Sequence, residues 1–175
     1  MKFRNSVFAT VLVLFSAPLH CVAQESNADY TDSHKAVGGF SAMLMITSDK
    51  DWQEKWYTPE STVPKFTTTD SVSVGQTIVI LPFFANPALG KDGIPKIRCD
   101  IRMTKPDGSV GTNQKDVLCF PPVKLPKPQN VQITNMAIMF QAEDSDPKGR
   151  WSVEVTIHDL IGHRELPLKK TFTVK

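Results

Sequence analysis

The stretch that decides the fold is Asp146–Asp159, with the sequence DPKGRWSVEVTIHD. Pro147 and Gly149 are turn-forming residues, and from Trp151 onward apolar and polar side chains alternate. Alternation with a period of two gives an extended chain one apolar face and one polar face, as in a half-buried antiparallel strand. Trp151 is the largest apolar side chain of this strand and is predicted to enter the core. The stretch predicts antiparallel β-structure and carries no sign of an activity.

Comparable patterns recur along the chain, separated by turn signals. Short apolar or alternating runs predict strands at 40–46, 77–81, 97–103, 117–120, 131–140, 151–157 and 166–174. Pro82 is expected to end the second strand, and a change of parity predicts a bulge near Asn135. The polar run at 110–116, before the strand at 117–120, predicts a bulge or a wide loop in that return strand. About seven such strands are typical of an all-β fold, an immunoglobulin-like antiparallel β-sandwich. A short helix is predicted in an N-terminal loop, over residues 51–57.

Two short motifs add a resemblance to this pattern. Pro106–Gly108 forms the turn of one predicted hairpin, and Gly149–Trp151 precedes a late strand that ends in Asp159. In these motifs the chain resembles small exported bacterial immunoglobulin-like domains, over residues 70–175. The matching residues are turn and core residues, so the resemblance implies the architecture and carries over no functional residue. It departs from the antibody pattern, because Trp151 follows the last two cysteines instead of lying between them.

Residues 1–23 are typical of a cleaved secretory signal peptide. Lys2 and Arg4 supply a positively charged start, Val7–Ala17 is an apolar run, and Cys21–Ala23 is a small-residue cleavage site. The apolar run is too short to span a bilayer, and Pro18 breaks it. We therefore expect cleavage and a periplasmic or secreted protein.

Cleavage would leave a polar segment followed by the folded domain. Residues 24–39 contain few apolar side chains and end in a pair of glycines, which predicts a flexible leader; residues 40–175 form the predicted sandwich. No segment after the signal peptide is apolar enough to cross a membrane. A lipoprotein anchored at Cys21 is disfavoured, because the bulky His20 stands where a small residue is expected before a lipidated cysteine.

Export also changes the charge balance. The whole chain has 20 Lys and Arg residues against 18 Asp and Glu residues, a formal net charge of +2. Lys2 and Arg4 leave with the signal peptide, so the mature protein is formally neutral. A neutral protein lacks the electrostatic attraction that supplies most binding to phosphate backbones, so we expect no nucleic-acid partner.

Two of the three cysteines, Cys99 and Cys119, remain after cleavage. In an oxidising compartment such a pair predicts one disulfide. It would close a loop of about 20 residues, for which the chain-entropy model gives about 3 kcal/mol of stabilisation. Because Trp151 follows both cysteines, they can join neighbouring strands of a hairpin and need not link two sheets. Two buried free thiols are the alternative, and no Cys-x-x-Cys spacing indicates a redox pair.

Trp52, Trp56 and Tyr57 form the only aromatic cluster outside a strand pattern. On the predicted helix the two tryptophans lie four residues apart and share one face. As a binding site, the cluster would be a stacking platform for a sugar ring or an anchor for a protein partner. As a structural feature, it would be a latch that folds a long loop onto the sandwich. The latch is favoured, because two indoles left in water would be unfavourable.

His158, Asp159 and His163 are the sharpest candidate for a metal site. If residues 159–162 form the loop, His158 and His163 pair across the hairpin, and with Asp159 or Glu165 they could hold Cu(II), Zn(II) or Ni(II). If the loop has three residues with a left-handed glycine, Asp159 faces His163 in a simple ion pair. Solvated polar residues at a hairpin tip are the structural alternative, which is favoured because neither spacing is a recognised metal motif.

Methionines offer a softer metal site, such as one for Cu(I): Met43, Met45, Met103, Met136 and Met139. Methionine also fills gaps in ordinary cores. Met103 and Met136 have the parity of predicted core residues, so core packing is favoured for them. Met43 and Met45 lie on the opposite face of their strand from the neighbouring leucine, and their role stays open.

The sequence contains no Gly-x-Ser-x-Gly elbow, no His-Glu-x-x-His pair and no phosphate-binding glycine loop. We therefore expect no catalytic residue, no enzyme activity and no cofactor. The leading hypothesis is a non-catalytic exported binding or accessory module that recognises a protein or glycan of the cell envelope through end loops at 49–70 and 82–96. A periplasmic copper- or zinc-handling domain using His158 and His163 is the second hypothesis. An uncharacterised hydrolase is the third.

Overall fold

The computed structural model describes residues 32–59 and 63–175. The predicted signal peptide and residues 24–31 of the predicted leader lie outside this part of the chain. The described residues form ten strands and one short helix: β1 (His34–Val37), β2 (Phe40–Thr47), α1 (Trp52–Trp56), β3 (Ser71–Val72), β4 (Thr77–Ala85), β5 (Ile97–Thr104), β6 (Val110–Leu118), β7 (Gln132–Ile133), β8 (Ile138–Gln141), β9 (Gly149–Asp159) and β10 (Arg164–Val174).

The strands form two sheets of five strands each. Sheet 1 has the order β1-β2-β4, and both β7 and β8 pair with the other side of β4. Sheet 2 has the order β3-β10-β9-β5-β6, and only the pairing of β3 with β10 is parallel. This architecture confirms the predicted all-β, immunoglobulin-like sandwich with one short helix. The described part holds ten strands where about seven were predicted.

The two sheets enclose an inner core that the alternation of β9 predicts correctly. The apolar side chains of Trp151–Ile157 are buried, whereas the polar ones between them are only partly buried. The indole of Trp151 stacks on Phe172, with ring centroids 6.2 Å apart, and its Nε1 donates a hydrogen bond of 3.0 Å to the carbonyl of Pro147. Sheet 1 contributes six large apolar side chains to the inner core: Phe40, Leu44, Ile46, Ile78, Ile80 and Phe84.

The prediction that Pro82 ends its strand is wrong, because β4 continues through it to Ala85. Pro82 lies opposite Leu44 of β2, and the N–H of Leu44 donates away from β4, to the carbonyl of Ser33. The N–H and C=O of one residue face the same side of a strand, so the missing N–H of Pro82 falls on the side of β7 and β8. The hydrogen-bonded ladder along β4 is interrupted between β7 and β8. At that point the carbonyl of Pro82 accepts a hydrogen bond of 3.1 Å from the N–H of Thr134. The proline therefore removes no ladder hydrogen bond.

The predicted flexible leader extends too far, because its last residues form β1. This strand pairs antiparallel with β2, and Val37 lies opposite Phe40. Between them Gly38 and Gly39 have φ angles of +52° and +82°. Two successive left-handed residues are what a two-residue hairpin turn requires. The glycine pair is thus a hairpin turn, and the folded domain includes residues 34–39.

Two predicted irregularities are present. The change of parity near Asn135 corresponds to the break between β7 and β8, which pair with different parts of β4. The polar return strand predicted to carry a bulge is β6, whose ladder with β5 shifts register between Cys99 and Ile101. Asp116, on β6, has a φ angle of +54°. Both irregularities were visible in the sequence because each breaks the alternation of apolar residues.

The predicted disulfide between Cys99 and Cys119 is confirmed. Cys99 belongs to β5, and Cys119 directly follows β6, the neighbour of β5 in sheet 2. The bond therefore joins adjacent strands of one sheet, as the position of the tryptophan after both cysteines allowed. Both cysteines are fully buried in the inner core.

Candidate functional site

The strand β4 is apolar on both of its faces. Its inward side chains belong to the inner core, whereas Val79, Leu81 and Phe83 lie on the outer face of sheet 1. These three side chains are nevertheless only 4%, 0% and 2% exposed. A sheet that is apolar on both faces needs cover on both faces. The outer face of sheet 1 must therefore be covered by a further part of the chain.

That cover comes mainly from the segment between β2 and β3. Trp52 and Trp56 of α1 pack with Phe66 against the outer face, and the rings of Trp56 and Phe66 lie 5.3 Å and 6.3 Å from that of Phe83. We call this group the outer cluster; its members are Val79, Leu81, Phe83, Met43, Met45, Trp52, Trp56, Phe66, Ile133 and Ala137. The two indoles act as the latch that the sequence favoured.

Polar contacts hold both ends of this covering segment, which we call the clip (residues 49–59 and 63–67). Lys55 Nζ lies 2.8 Å from Asp49 Oδ2. The same oxygen accepts a hydrogen bond of 2.7 Å from the N–H of Thr67, and Thr47 Oγ1 donates over 2.8 Å to the Thr67 carbonyl. The hydrogen bond from Lys55, with further help from Thr67, lowers the pKa of Asp49 to about 2. Asp49 thus ties the start of the clip to its end.

Tyr57 is the exposed member of the predicted aromatic cluster. Its side chain is 77% exposed, while its backbone N–H is held by the carbonyl of Gln53 over 3.0 Å. Val63, further along the clip, is 81% exposed. The three predicted binding residues therefore divide by role. Trp52 and Trp56 fix the clip to sheet 1, and Tyr57 offers an aromatic ring to solvent.

The two predicted end loops are placed differently from the expectation. In the described parts of the first loop, residues 49–59 and 63–70, the side chains of Trp52, Trp56 and Phe66 pack on the outer face of sheet 1 and cover β4. Residues 82–85 belong to β4, so the second loop is shortened to 86–96. That loop is held in place, since the N–H of Ala88 donates to the buried carboxylate of Asp159 over 2.9 Å.

The hairpin between β9 and β10 has neither of the two predicted registers. Asp159 lies opposite Arg164, and His158 lies opposite Glu165. The turn therefore consists of the four residues between Asp159 and Arg164. His163 is the last of them and has a φ angle of +51°. The predicted pairing of His158 with His163, and the alternative pairing of Asp159 with His163, are both wrong.

A buried ion pair explains this register. Asp159 is 1% exposed, and its carboxylate is bound by the guanidinium of Arg164, whose Nε lies 3.1 Å from Oδ2. Arg164 also donates to the carbonyl of Gly38 over 2.7 Å and lies over the ring of Phe40. The pair joins the turn of β9–β10 to the turn of β1–β2 and to the loop after β4. Its role in the described structure is to hold one end of the sandwich together.

The metal ligand set predicted from His158, Asp159 and His163 is not assembled. Neighbouring residues of a strand face opposite sides, so Asp159 faces inward and His158 outward. His163 lies in the turn. Within residues 32–59 and 63–175, no group of three or more His, Cys, Asp and Glu side chains is arranged to hold a metal ion.

His158 belongs to a network of charged groups on the outer face of sheet 2. Its Nε2 lies 3.3 Å from Asp100 Oδ2, and its Nδ1 lies 3.5 Å from Glu165 Oε2. Burial alone would raise the pKa of Asp100. Hydrogen bonds from the Asp116 N–H, Lys115 and His158 outweigh this effect and hold the pKa of Asp100 below its ordinary value. Charge pairing accounts for these residues without a ligand.

The methionines divide into three groups. Met103 is buried in the inner core and Met136 packs against it, so core packing is confirmed for both. Met139 is 72% exposed on β8. Met43 and Met45 are partly buried members of the outer cluster. The five therefore do not form one soft-metal site, and Met43 and Met45 are the pair that lies on the outer face of sheet 1.

Met43 also lines a shallow cavity of about 170 Å³, together with residues of β1, β2 and β4. His34, Phe83 and Val131 are among the other lining residues. The sequence pattern does not place His34 at a site, because residues 24–39 were predicted to form a flexible leader. The hairpin turn at Gly38-Gly39 is the signal that could have placed His34 on a strand.

No protein-family model matches the sequence. A search of curated proteins finds no match either. Among solved structures, the chain is similar to the C-terminal domain of Wzt at 11% identity, with 81% of this chain and 77% of that one covered and a TM-score of 0.44.

Two further structures have a similar level of similarity. A Niemann-Pick type C2 protein from the Japanese carpenter ant is 14% identical over 75% of this chain and 89% of its own, with a TM-score of 0.41. The CARDB domain of a Pyrococcus furiosus protein, solved in complex with di-metal ions, is 12% identical over 84% of this chain and 99% of its own, with a TM-score of 0.40. The matches also include longer proteins, of which this chain spans only 28% and 27%. Similarities at this distance assign no function.

Proposed function

We propose that the protein is a non-catalytic, exported binding or accessory module that recognises a protein or glycan of the cell envelope through the clip. The observation that carries the proposal is the exposure of Tyr57 and Val63 on a segment that is itself fixed to a rigid sheet. Exposed apolar side chains on an immobilised support bind with little loss of conformational entropy. This is the property expected of a recognition surface on a scaffold.

The support beneath Tyr57 is well defined. The indole of Trp56, one residue earlier, packs on Phe83, and Asp49 binds both Lys55 and Thr67. Tyrosine is enriched at the energetic centres of protein interfaces because it combines a large apolar ring with a hydroxyl. A partner that covers Tyr57 would meet a ring whose backbone is already fixed.

A protein partner is favoured over a glycan. Val63 offers only aliphatic surface, which can be buried by an apolar side chain but gives no hydrogen bond to a sugar hydroxyl. Tyr57 alone would suit either partner, because aromatic rings stack on sugars as well as on side chains. A glycan is therefore the alternative outcome of the test below.

Location outside the cytoplasm is part of the proposal. The disulfide between Cys99 and Cys119 is compatible with an oxidising compartment, because such bonds are rare where thiols are kept reduced. Within the described residues, none of the helical structure has the length and apolarity that a bilayer span requires. Periplasmic or secreted location rests on the signal peptide predicted for residues 1–23, and N-terminal sequencing of the exported protein tests it.

The test is capture of a partner from envelope extract by the immobilised protein and by a Tyr57→Ala, Val63→Ser double variant. Loss of a tyrosine at the centre of an interface costs about 2 kcal/mol or more, which is about 30-fold in affinity. Leu160→Ser, at an exposed position of the β9–β10 turn, is the matched control. Digestion of the captured material with protease or with glycosidase distinguishes the two partner classes.

We expect the wild type and Leu160→Ser to capture the same partner and the double variant to lose it. All three proteins should have the same melting temperature, because both substitutions replace exposed side chains. Capture by the double variant at the wild-type level would contradict the proposal. Absence of any specific partner for the wild type would contradict it as well.

A further inference from the structure

We propose that His34, Met43 and Met45 form a binding site for Cu(I) on the outer face of sheet 1. The register of β1 and β2 places His34 directly opposite Met43. In an antiparallel pair, residues directly opposite each other project from the same face. Met45 follows two positions along β2 and shares that face. One imidazole and two thioethers therefore occupy neighbouring positions on one surface.

The spacing suits one metal ion. Residues directly opposite each other have Cβ atoms about 4.5–5.5 Å apart. Same-face neighbours along one strand are separated by two rises of about 3.3 Å each. Methionine is unbranched and has three rotatable bonds, so its sulfur can be moved toward a shared point without moving the backbone. The two strands are joined by the two-residue turn at Gly38-Gly39, which fixes their register.

The cavity beside these residues favours a soft ion of low charge. His34 and Met43 both line it, and most of its remaining wall is apolar, including Phe83, Phe84 and Val131. The lining residues, all in the described part of the chain, include no carboxylate. Thioether sulfur selects Cu(I), imidazole also binds copper, and hard ions prefer oxygen ligands. The ligand set therefore indicates Cu(I) over Zn(II), Mg(II) or Ca(II).

The indoles of the clip provide a reporter for binding. Trp52, Trp56, Met43 and Met45 all pack against the same three buried side chains of β4. An ion held by the methionines would lie close to this aromatic layer, so tryptophan fluorescence should respond to it. The site uses side chains different from Tyr57 and Val63, so its existence does not depend on the proposed recognition function.

The test is a titration of the purified protein with Cu(I) under anaerobic conditions, in competition with the chromophoric chelator bicinchoninate. Ascorbate is the reductant, so that the Cys99–Cys119 disulfide stays intact. Where the predicted signal peptide is retained, Cys21 is replaced by serine, because it would offer a competing thiol. The variants are His34→Ala, Met43→Leu and Met45→Leu. Leucine keeps the approximate volume of methionine, so the fold should be retained. Met139→Leu, an exposed methionine on the same sheet, is the matched control.

We expect one equivalent of Cu(I) to be retained by the wild type and by Met139→Leu. His34→Ala and Met43→Leu should each weaken binding by at least about tenfold, the loss that changes even in the outer shell of metal sites commonly cause. Met45→Leu should weaken it less, because Met45 is not among the residues that line the cavity. Tryptophan fluorescence should change over the same range of Cu(I) concentration in which the protein takes up the ion, with the same midpoint.

Three results would overturn the proposal. The first is failure of the folded wild type to compete for Cu(I). The second is unchanged affinity in both His34→Ala and Met43→Leu. The third is tighter binding of Zn(II) than of Cu(I), which would show that the thioethers do not act as ligands. The capture experiment separates the two proposals. If Tyr57→Ala, Val63→Ser loses the captured partner and Met43→Leu keeps it, the recognition function is supported whether or not Cu(I) binds.

Discussion

The inner core and the outer cluster are both apolar, yet they are built in different ways. The inner core is closed by strands from both sheets, which meet around the buried indole of Trp151. In the outer cluster, the outer face of β4 is covered mainly by one segment, the clip, whose own indoles are only partly buried. Polar contacts of Asp49 hold the ends of that segment. We therefore expect the inner core to determine whether the protein folds, and the clip to loosen while the sandwich stays intact.

Trp151→Ala should have the largest effect, because it removes the biggest side chain of the inner core. The indole is 3% exposed and also loses its hydrogen bond to Pro147. Truncation of a buried tryptophan costs about 3–5 kcal/mol of the free energy of unfolding, to be measured by urea denaturation. Trp151→Phe keeps most of the packing and should lose less. A cost for Trp151→Ala below that of Trp56→Ala would contradict the distinction between the two regions.

Removal of the disulfide by Cys99→Ala with Cys119→Ala should have the next largest effect. The bond closes a loop with a sequence separation of 20, for which the chain-entropy model gives about 3 kcal/mol. Since it joins β5 to the end of β6, the loss should lower the stability of the whole sandwich. Urea denaturation followed by circular dichroism measures it. A loss seen only in the fluorescence of the clip would be inconsistent with the position of the bond in sheet 2.

Trp56→Ala should cost less and should act locally. Its indole is partly buried and packs on Phe83, so we expect about 2 kcal/mol, roughly half the cost for a fully buried tryptophan. The measurement is limited proteolysis, which should cleave the clip first and leave the sandwich intact. Gln53→Ala, an exposed change on the same helix, is the control and should behave as wild type. Equal protease resistance of Trp56→Ala and wild type would show that the indole is not a latch.

Within the clip, acid should produce the smallest of these effects, through protonation of Asp49. The pKa of Asp49 is lowered to about 2 in the folded protein, from an ordinary value of 3.8. The stabilisation from its ionised form is therefore fully present above about pH 4 and is lost as the pH falls toward 2. Tryptophan emission of the wild type should shift over that range, and Asp49→Asn should lack the shift. A shift of equal size in Asp49→Asn would assign the acid response to another carboxylate.

Alternation in the sequence predicted the inner core well. The burial of Trp151–Ile157 follows from local periodicity alone, and so do the helix and the latch, since Trp52 and Trp56 share one helical face. Local pattern also indicated the irregularity of β6 and the place where the pairing with β4 is interrupted between β7 and β8. These features depend on residues that are close in sequence, which is why the sequence alone could predict them.

The features that the sequence did not predict depend on distant contacts. The register of the β9–β10 hairpin follows from the burial of Asp159 with Arg164, and those two residues also bind Ala88 and Gly38, far away in the chain. The continuation of β4 through Pro82 depends on a gap in the facing ladder. The strand β1 is short and mostly exposed, so no alternation of apolar residues identifies it, and the adjoining Gly38-Gly39 turn is its one local signal. His34 was missed for that reason, and with it the neighbour of Met43.

Amide hydrogen exchange of wild type and Trp56→Ala tests most directly whether the clip is a separate layer over an independently stable sandwich. We predict that the amides of Tyr57 and Thr67, which are bonded within the clip, exchange faster in the variant. The amides of β9 and β10 should keep their wild-type rates. Equal acceleration in β9 and β10 would contradict the account, because it would show that the inner core and the outer cluster unfold as one unit.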